Sequence, residues 1–332
     1  MSPHARAIVL VAAIAVGAAG VTVAGALIQG RDTGGEVHGR TETSASDRRE
    51  RPTLELAILD RGDAEARALR RAERLYEAGR ADAAERAFRA VLERNSASVE
   101  AEIGAAVASW PDGTLERLRA LVEREPRSGV ARLNLGLALL AAGDLDEARR
   151  AWREAERRDP DSAAALRAED LLNPDMPPGR PRFVFGGRVP PALARLDPEA
   201  RLARLARGAR SGEPRDWLLY GVALESVGRR VSARAAYDRA VALAPGEVEP
   251  RVAAAVSRFD KDRPAAAFSR LGPLARASGG APVVRFHLGL LLLWLPNVDE
   301  ARRQLRLAAA GDRNGFYRRE AARLLARLDE VE

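Results

Sequence analysis

Small and bulky apolar residues recur along this chain in a fixed order. Between Pro214 and Pro245, the small residues Gly221, Ala233 and Ala240 interleave with Trp217, Leu224 and Tyr237, and Gly228 falls between the two halves. That pattern predicts two short helices broken at Gly228, with small side chains where they touch and large ones filling between. Such a hairpin cannot bury its own apolar face and needs neighbours. Steps of 34 residues supply them, with new copies opening at 214, 248, 282 and 316.

The first half carries the same signal in its own register. Leu135, Gly136, Leu139, Gly143, Ala148, Trp152, Ala155 and Pro160 keep the spacing of Tyr220, Gly221, Leu224, Gly228, Ala233, Tyr237, Ala240 and Pro245. An earlier copy over 65–98 turns at Gly79 and places Ala84, Phe88 and Val91 on its second helix. A shorter one over 97–126 turns at Trp110-Pro111-Asp112-Gly113. In the second half the copy at 282 repeats the pattern with Leu288, Gly289, Leu292, Ala301, Leu305 and Ala308. The copy at 248 keeps Ala255, Ala267, Leu271 and Leu274 but has Gly272-Pro273 within its second helix, which should bend or shorten it.

Between the two series lies NPDMPPGRPRFVFGGRVPP, residues 173–191, too rich in proline for a helix. Its apolar Phe183-Val184-Phe185 is expected to pack on something. A helix resumes over 192–209, as the second half of a degenerate copy whose first helix the loop replaces. The last segment, from Phe316, alternates a narrow apolar stripe with charge and fits the polar cap that a solenoid end requires.

Ahead of all this, Ala7 to Ile28 is a run of 22 residues without charge, after Arg6 and before Arg31. At about 1.5 Å per residue it matches a hydrocarbon core of roughly 30 Å. The reading is a transmembrane anchor over 1–30 that leaves the bulk of the chain outside the cytoplasm; the alternative is secretion after signal cleavage near Ala26. Residues 31–53 are polar and expected to form a flexible tether. Helical periodicity is expected from Leu54, giving a first array over 54–172, the Pro-rich interruption over 173–191 and a second array over 192–332.

Charge and composition remove functions more than they add them. The chain has 332 residues, a net charge of +7 and no cysteine, so disulfides and thiolate chemistry are excluded. Lys261 is the one lysine among 54 basic residues, a bias that speaks against selection for a binding face. The positive excess is local: residues 178–215 hold nine arginines against three acids. His4, His38 and His287 have no partners at metal-ligand spacing, the carboxylates stand singly among arginines, and Gly186-Gly187 lacks the context of a phosphate loop. No catalytic, cofactor or metal site is expected.

The repeated residues resemble the tetratricopeptide repeat family: Leu-Gly, a large residue, a small residue, an aromatic, Ala and Pro within 34 positions. The resemblance covers about 65–161 and 214–330 and implies an all-α helix-hairpin solenoid, a right-handed superhelix whose first helices line a concave groove for peptide or protein ligands. It implies no enzyme activity. By that geometry the groove takes Leu133, Leu137 and Leu140 in the first array, and Leu218, Val222, Phe286, Leu290, Leu293 and Trp294 in the second. The Lys and Asn that clamp a peptide carboxylate in some relatives are missing, so an amphipathic helix or an extended apolar segment is the expected ligand, unless Phe183-Val184-Phe185 fills the groove from within. The expected function is a membrane-tethered scaffold that docks an unidentified protein. A second reading assigns Arg201, Arg204, Arg207 and Arg210 to an anionic lipid or polymer surface, with nucleic acid the least favoured ligand.

Overall fold

The computed structural model describes residues 51–330 apart from 188, 279, 296, 313 and 314. The expected membrane anchor and nearly all of the tether lie outside these residues, and no helix among the described residues is long and apolar enough to cross a membrane. All regular structure in this part is helical, in sixteen helices. The first array comprises α1 (Ala64–Glu77), α2 (Ala81–Leu92), α3 (Val99–Ala108), α4 (Thr114–Arg124), α5 (Gly129–Ala141), α6 (Leu145–Arg158) and α7 (Ala163–Leu172). After the Pro-rich stretch come a single turn, α8 (Pro191–Ala194), and α9 (Pro198–Ala209). The second array continues with α10 (Pro214–Ser226), α11 (Arg230–Leu243), α12 (Val248–Val256), α13 (Ala265–Ala277), α14 (Pro282–Trp294), α15 (Val298–Gly311) and α16 (Phe316–Asp329).

Local chemistry sets the helix ends. Asp63, Ser128, Asp144, Ser162, Asp197 and Asn297 each accept a backbone N–H in the first turn that follows them. Proline opens α9, α10 and α14, where its missing N–H costs nothing. The hairpin turns use left-handed glycines, Gly79 at φ 74°, Gly143 at 89° and Gly228 at 83°. At each, the next residue's N–H reaches back five positions, to Leu75, Leu139 and Leu224, and so closes the first helix. Within the hairpins, glycine lets two helices meet. A Cβ on Gly136 would lie 2.3 Å from Trp152, one on Gly221 2.3 Å from Tyr237, and one on Gly289 2.9 Å from Leu305. The helix expected to be bent or shortened at Gly272-Pro273 runs through the proline over 13 residues, with Leu271 and Leu274 buried on either side.

Successive hairpins stack in chain order. The first helices, α1, α3, α5 and α7, touch one another in sequence and form one wall; α10, α12, α14 and α16 form a second. Each array has its own apolar core. The join between them is polar. Asp161, before α7, accepts the Val231 and Ser232 N–H groups at 2.8 and 2.9 Å and so caps α11, which has no side-chain cap of its own. On α7, Glu169 pairs with Arg180 and Arg230, and Asp170 pairs at 2.6 Å with Lys261, whose side chain is fully buried. The single lysine also donates to the Pro177 carbonyl at 2.7 Å, so it ties the loop, α7 and the α12–α13 turn together.

Candidate functional site

Both concave walls are occupied by extended segments of the chain itself. Residues 52–58, expected to begin a helix at Leu54, are instead extended, and Pro52, Leu54, Leu56 and Ile58 are buried while the residues between them are not. This is an alternation of period two, which a helix cannot place on one face. The first helix begins only at Ala64.

The first array holds this segment mainly by its backbone. Asn134 on α5 pairs with Glu55 as a neighbouring strand would: its Oδ1 accepts the Glu55 N–H at 3.0 Å and its Nδ2 donates to the Glu55 carbonyl at 2.8 Å. From α1, Glu73 accepts the Leu56 N–H at 3.2 Å, Arg70 donates to the Ile58 carbonyl at 2.7 Å, and the Tyr76 hydroxyl donates to the Pro52 carbonyl at 2.6 Å. A single ion pair reads a side chain, Arg167 with Glu55 at 2.8 Å. Leu54, Leu56 and Ile58 join the same core as Leu69, Ile103, Leu133 and Leu137. Burial, together with the nearby Glu77 and Glu55, pushes the Glu73 carboxyl up to about 7. Ala57 sits at φ 55°, in the left-handed region that strains any residue but glycine.

In the second array the occupant is Phe183-Val184-Phe185, all three buried. His287 Nε2 accepts the Val184 N–H at 2.9 Å, and Tyr317 donates its hydroxyl to the Val184 carbonyl at 3.1 Å. Because a backbone N–H can only donate, His287 carries its proton on Nδ1, which faces the Val283 carbonyl at 2.7 Å. Burial drives this imidazole down to about 4. Glu225 faces the Phe183 N–H and the Tyr237 hydroxyl, and burial raises it to about 7 against those contacts. The phenylalanines are gripped as well: Phe183 stacks on His287 at 5.0 Å and meets Tyr237 edge-on at 5.8 Å, while Arg215 lies over Phe185 at 5.7 Å. Gly186 offers its N–H to Glu249, and a side chain there would run into Tyr317, so the di-glycine makes room for the segment.

The residues expected to line the groove are therefore distributed differently from the expectation. Leu133, Leu137, Leu218, Phe286, Leu290, Leu293 and Trp294 are all buried in core, Val222 is half-buried, and Leu140 alone of the set is exposed, at 44%. Phe286 and Trp294, at 1% and 2%, belong to the second core, so truncating either would unsettle the fold rather than remove a contact to a partner. The arginine strip is divided too. Arg201 is turned back onto the carbonyls of Leu193 and Leu196, at 3.0 and 2.9 Å, whereas Arg204, Arg207 and Arg210 are exposed. No cluster of potential metal ligands occurs among the described residues. The groove residues that spacing does not reveal are polar: Asn134, Glu73, Arg70, Tyr76 and Tyr317. The available signal is the alternation at 52–58, which points to an extended chain and hence to backbone partners.

Stacked helix hairpins whose first helices line grooves for extended polypeptide define a helical-repeat scaffold. Residues 69–117 and 111–163 match the tetratricopeptide repeat family, so this part of the first array carries tetratricopeptide repeats. No curated protein matches the chain. Among solved structures, a thermophilic tetratricopeptide repeat protein from Thermus thermophilus is 25% identical, with 58% of this chain and 98% of that one covered and a TM-score of 0.28. A tetratricopeptide repeat protein from Parabacteroides merdae is 12% identical, with coverage of 80% and 99% and a TM-score of 0.34. The yeast Sti1 repeat domain in complex with an Hsp90 peptide is 15% identical, with coverage of 79% and 97% and a TM-score of 0.29.

Proposed function

We propose that this protein is a non-enzymatic scaffold that docks a protein partner outside the cytoplasmic membrane, to which Ala7–Ile28 anchors it. The observation that supports this most is the use made of the two concave walls. Each holds an extended polypeptide by hydrogen bonds to its backbone as well as by apolar pockets, which is what a peptide-docking surface needs. The membrane part of the reading rests on the length of the uncharged run.

The test is photo-crosslinking in cells, with the crosslinking residue placed in the full-length chain at Leu140, exposed on the helix that carries Asn134. Recovery of one defined protein, lost when Asn134 is changed to Ala, is the expected result. Unchanged recovery in Asn134→Ala would take the groove out of the reading. Accessibility of the repeats to protease added outside the cytoplasmic membrane separately tests the anchor.

A second reading keeps the exposed Arg204, Arg207 and Arg210 as a surface for anionic lipid or polymer. Binding of that kind weakens steeply as salt rises, while docking in an apolar groove does not.

A further inference from the structure

Two segments lie in two grooves, but only one of them is built to leave. We propose that residues 52–58 are a displaceable internal ligand, and that a partner protein's extended segment takes their place in the first groove. That segment carries apolar residues at three alternate positions and glycine just before the third. The inference rests on the scaffold reading and specifies its ligand.

Three observations carry it. First, the hydrogen bonds from Asn134, Glu73, Arg70 and Tyr76 all reach main-chain atoms, so they accept any extended chain that offers the same backbone. The one contact that reads a side chain, Arg167 with Glu55, is partly exposed on both sides and selects weakly. What remains for sequence to decide is the set of positions filled by Leu54, Leu56 and Ile58, each 5% exposed or less.

Second, the internal occupant is a flawed ligand. Ala57 is held at φ 55° between two buried residues, and it is the single non-glycine residue with positive φ among those described. Glycine adopts that conformation without the Cβ clash, so a segment with glycine there binds about tenfold more tightly for the same contacts. A second copy of this chain would bring the same alanine and gain nothing by exchange, which favours a different protein as the occupant.

Third, the segment stands outside the helical frame. Leu59 to Asp63 join the segment to α1, and none of residues 52–58 belongs to a helix, so it can leave the groove with every helix intact. An emptied groove would expose the apolar positions under Leu54, Leu56 and Ile58. Release therefore takes the form of exchange for another apolar segment rather than simple opening. Because the internal segment is tethered beside its own site, at an effective concentration on the order of millimolar, it sets a threshold that weak ligands fail to cross.

The experiment measures anisotropy of a fluorescent nonapeptide, PTLELGILD, which is residues 52–60 with glycine for Ala57, titrated with the full-length chain. In Leu54→Asp/Leu56→Asp the internal segment is weakened, and the peptide should bind at least tenfold more tightly than to the wild type. Adding Asn134→Ala should abolish that gain. Ala57→Gly in the otherwise unchanged chain should act the opposite way and weaken peptide binding about tenfold, because the internal ligand is then relieved. No gain in a double variant that keeps its helical circular dichroism overturns the proposal. Should the double variant not fold, amide exchange of the wild type decides: excess peptide should speed exchange at Leu56 and leave Val184 unchanged, and equal protection at Leu56 with and without peptide is negative. A concentration-dependent dimer with exchanged segments and no peptide binding would assign the groove to a second copy and overturn the partner assignment. Failure of the peptide together with a defined crosslinked protein at Leu140 would leave the scaffold reading standing without this ligand.

Discussion

The two grooves solve one problem in two ways. Each array has a wall of first helices that would otherwise face water with apolar residues, and each lays an extended piece of its own chain along it. In the first, recognition is by main-chain hydrogen bonds and three aliphatic pockets, with a strained alanine. In the second, His287 and Tyr317 hold the Val184 backbone, stacking on His287 and Tyr237 and the Arg215 guanidinium also grip the two phenylalanine rings, and both ends run into anchored structure. Arg180 holds the entry to that segment through Glu169 and the Phe259 carbonyl, and α9 follows the exit and packs on α10. Recognition of aromatic side chains added to backbone bonds makes a permanent core element; recognition mainly of the backbone makes an exchangeable one.

The largest expected effect tests the permanent half. Phe183→Ala should cost about 3–5 kcal/mol in equilibrium denaturation, because the ring is buried among His287 and Tyr237 and the segment cannot move to close the gap. The matching change in the first groove should behave differently. Leu56→Ala costs at most the free energy that holds the segment in place, so Leu54→Ala added to it should cost little more. Strict additivity of the two leucine changes, at about 2–5 kcal/mol each, would make the first segment as permanent as the second and erase the contrast.

The seam between the arrays comes next. Lys261→Met leaves Asp170 without its 2.6 Å partner in a nearly closed site and should cost about 3 kcal/mol or more. Asp161→Ala, which uncaps α11 from across the seam, should cost about 1 kcal/mol. Because the two cores are separate, either change should split one unfolding transition into two, read by heat-capacity calorimetry. A single sharp transition in both variants would mean that something other than these polar contacts couples the arrays.

The smallest effects concern pH and again separate the grooves. Glu73 is raised from 4.5 to about 7, so its contribution is complete below pH 4.5 and is lost as pH rises through 7. Protection of the Leu56 amide, corrected for intrinsic exchange, should therefore fall from pH 5 to pH 8. The Leu56 N–H itself and, less strongly, Arg70 favour the carboxylate form and temper this, while Glu77 and Glu55 add to it. In the second groove Glu225, raised to about 7, has the same sign, but His287 opposes it. A histidine lowered from 6.5 to about 4 stabilises above pH 6.5 and loses that contribution as pH falls through 4. Val184 protection should thus be flatter between pH 5 and 8 and collapse near pH 4. Parallel profiles at Leu56 and Val184 would show that the carboxylates, not the histidine, control both.

Much of the architecture can be read from spacing because the repeat imposes it. A glycine against an aromatic, as at Gly136 and Trp152 or Gly221 and Tyr237, is a contact between positions a fixed distance apart in one hairpin, so it leaves a periodic mark. Phe183-Val184-Phe185 is legible as apolar residues stranded in a proline-rich loop that have to pack somewhere. Residues 52–58 are harder. Their alternation is only a few residues long and runs directly into helical sequence, so a helix read from Leu54 ignores a period of two. The groove-facing positions escape for another reason: periodicity tells which face of a helix lies inward, but not what covers it. Leu290, Leu293 and Trp294 are buried within the second core.

By itself the sequence determined the hairpins, their turns at Gly79, Gly143 and Gly228, their order, and the existence of two series in different registers, because all of these depend on contacts within about 34 residues. Only the tertiary structure decided that Asn134 pairs with Glu55, that His287 accepts the Val184 N–H, and that the single lysine closes the seam on Asp170. Those partners lie 79, 103 and 91 positions apart. Contacts of that reach depend on which distant segment comes to lie against each wall of stacked helices, and local spacing does not encode that.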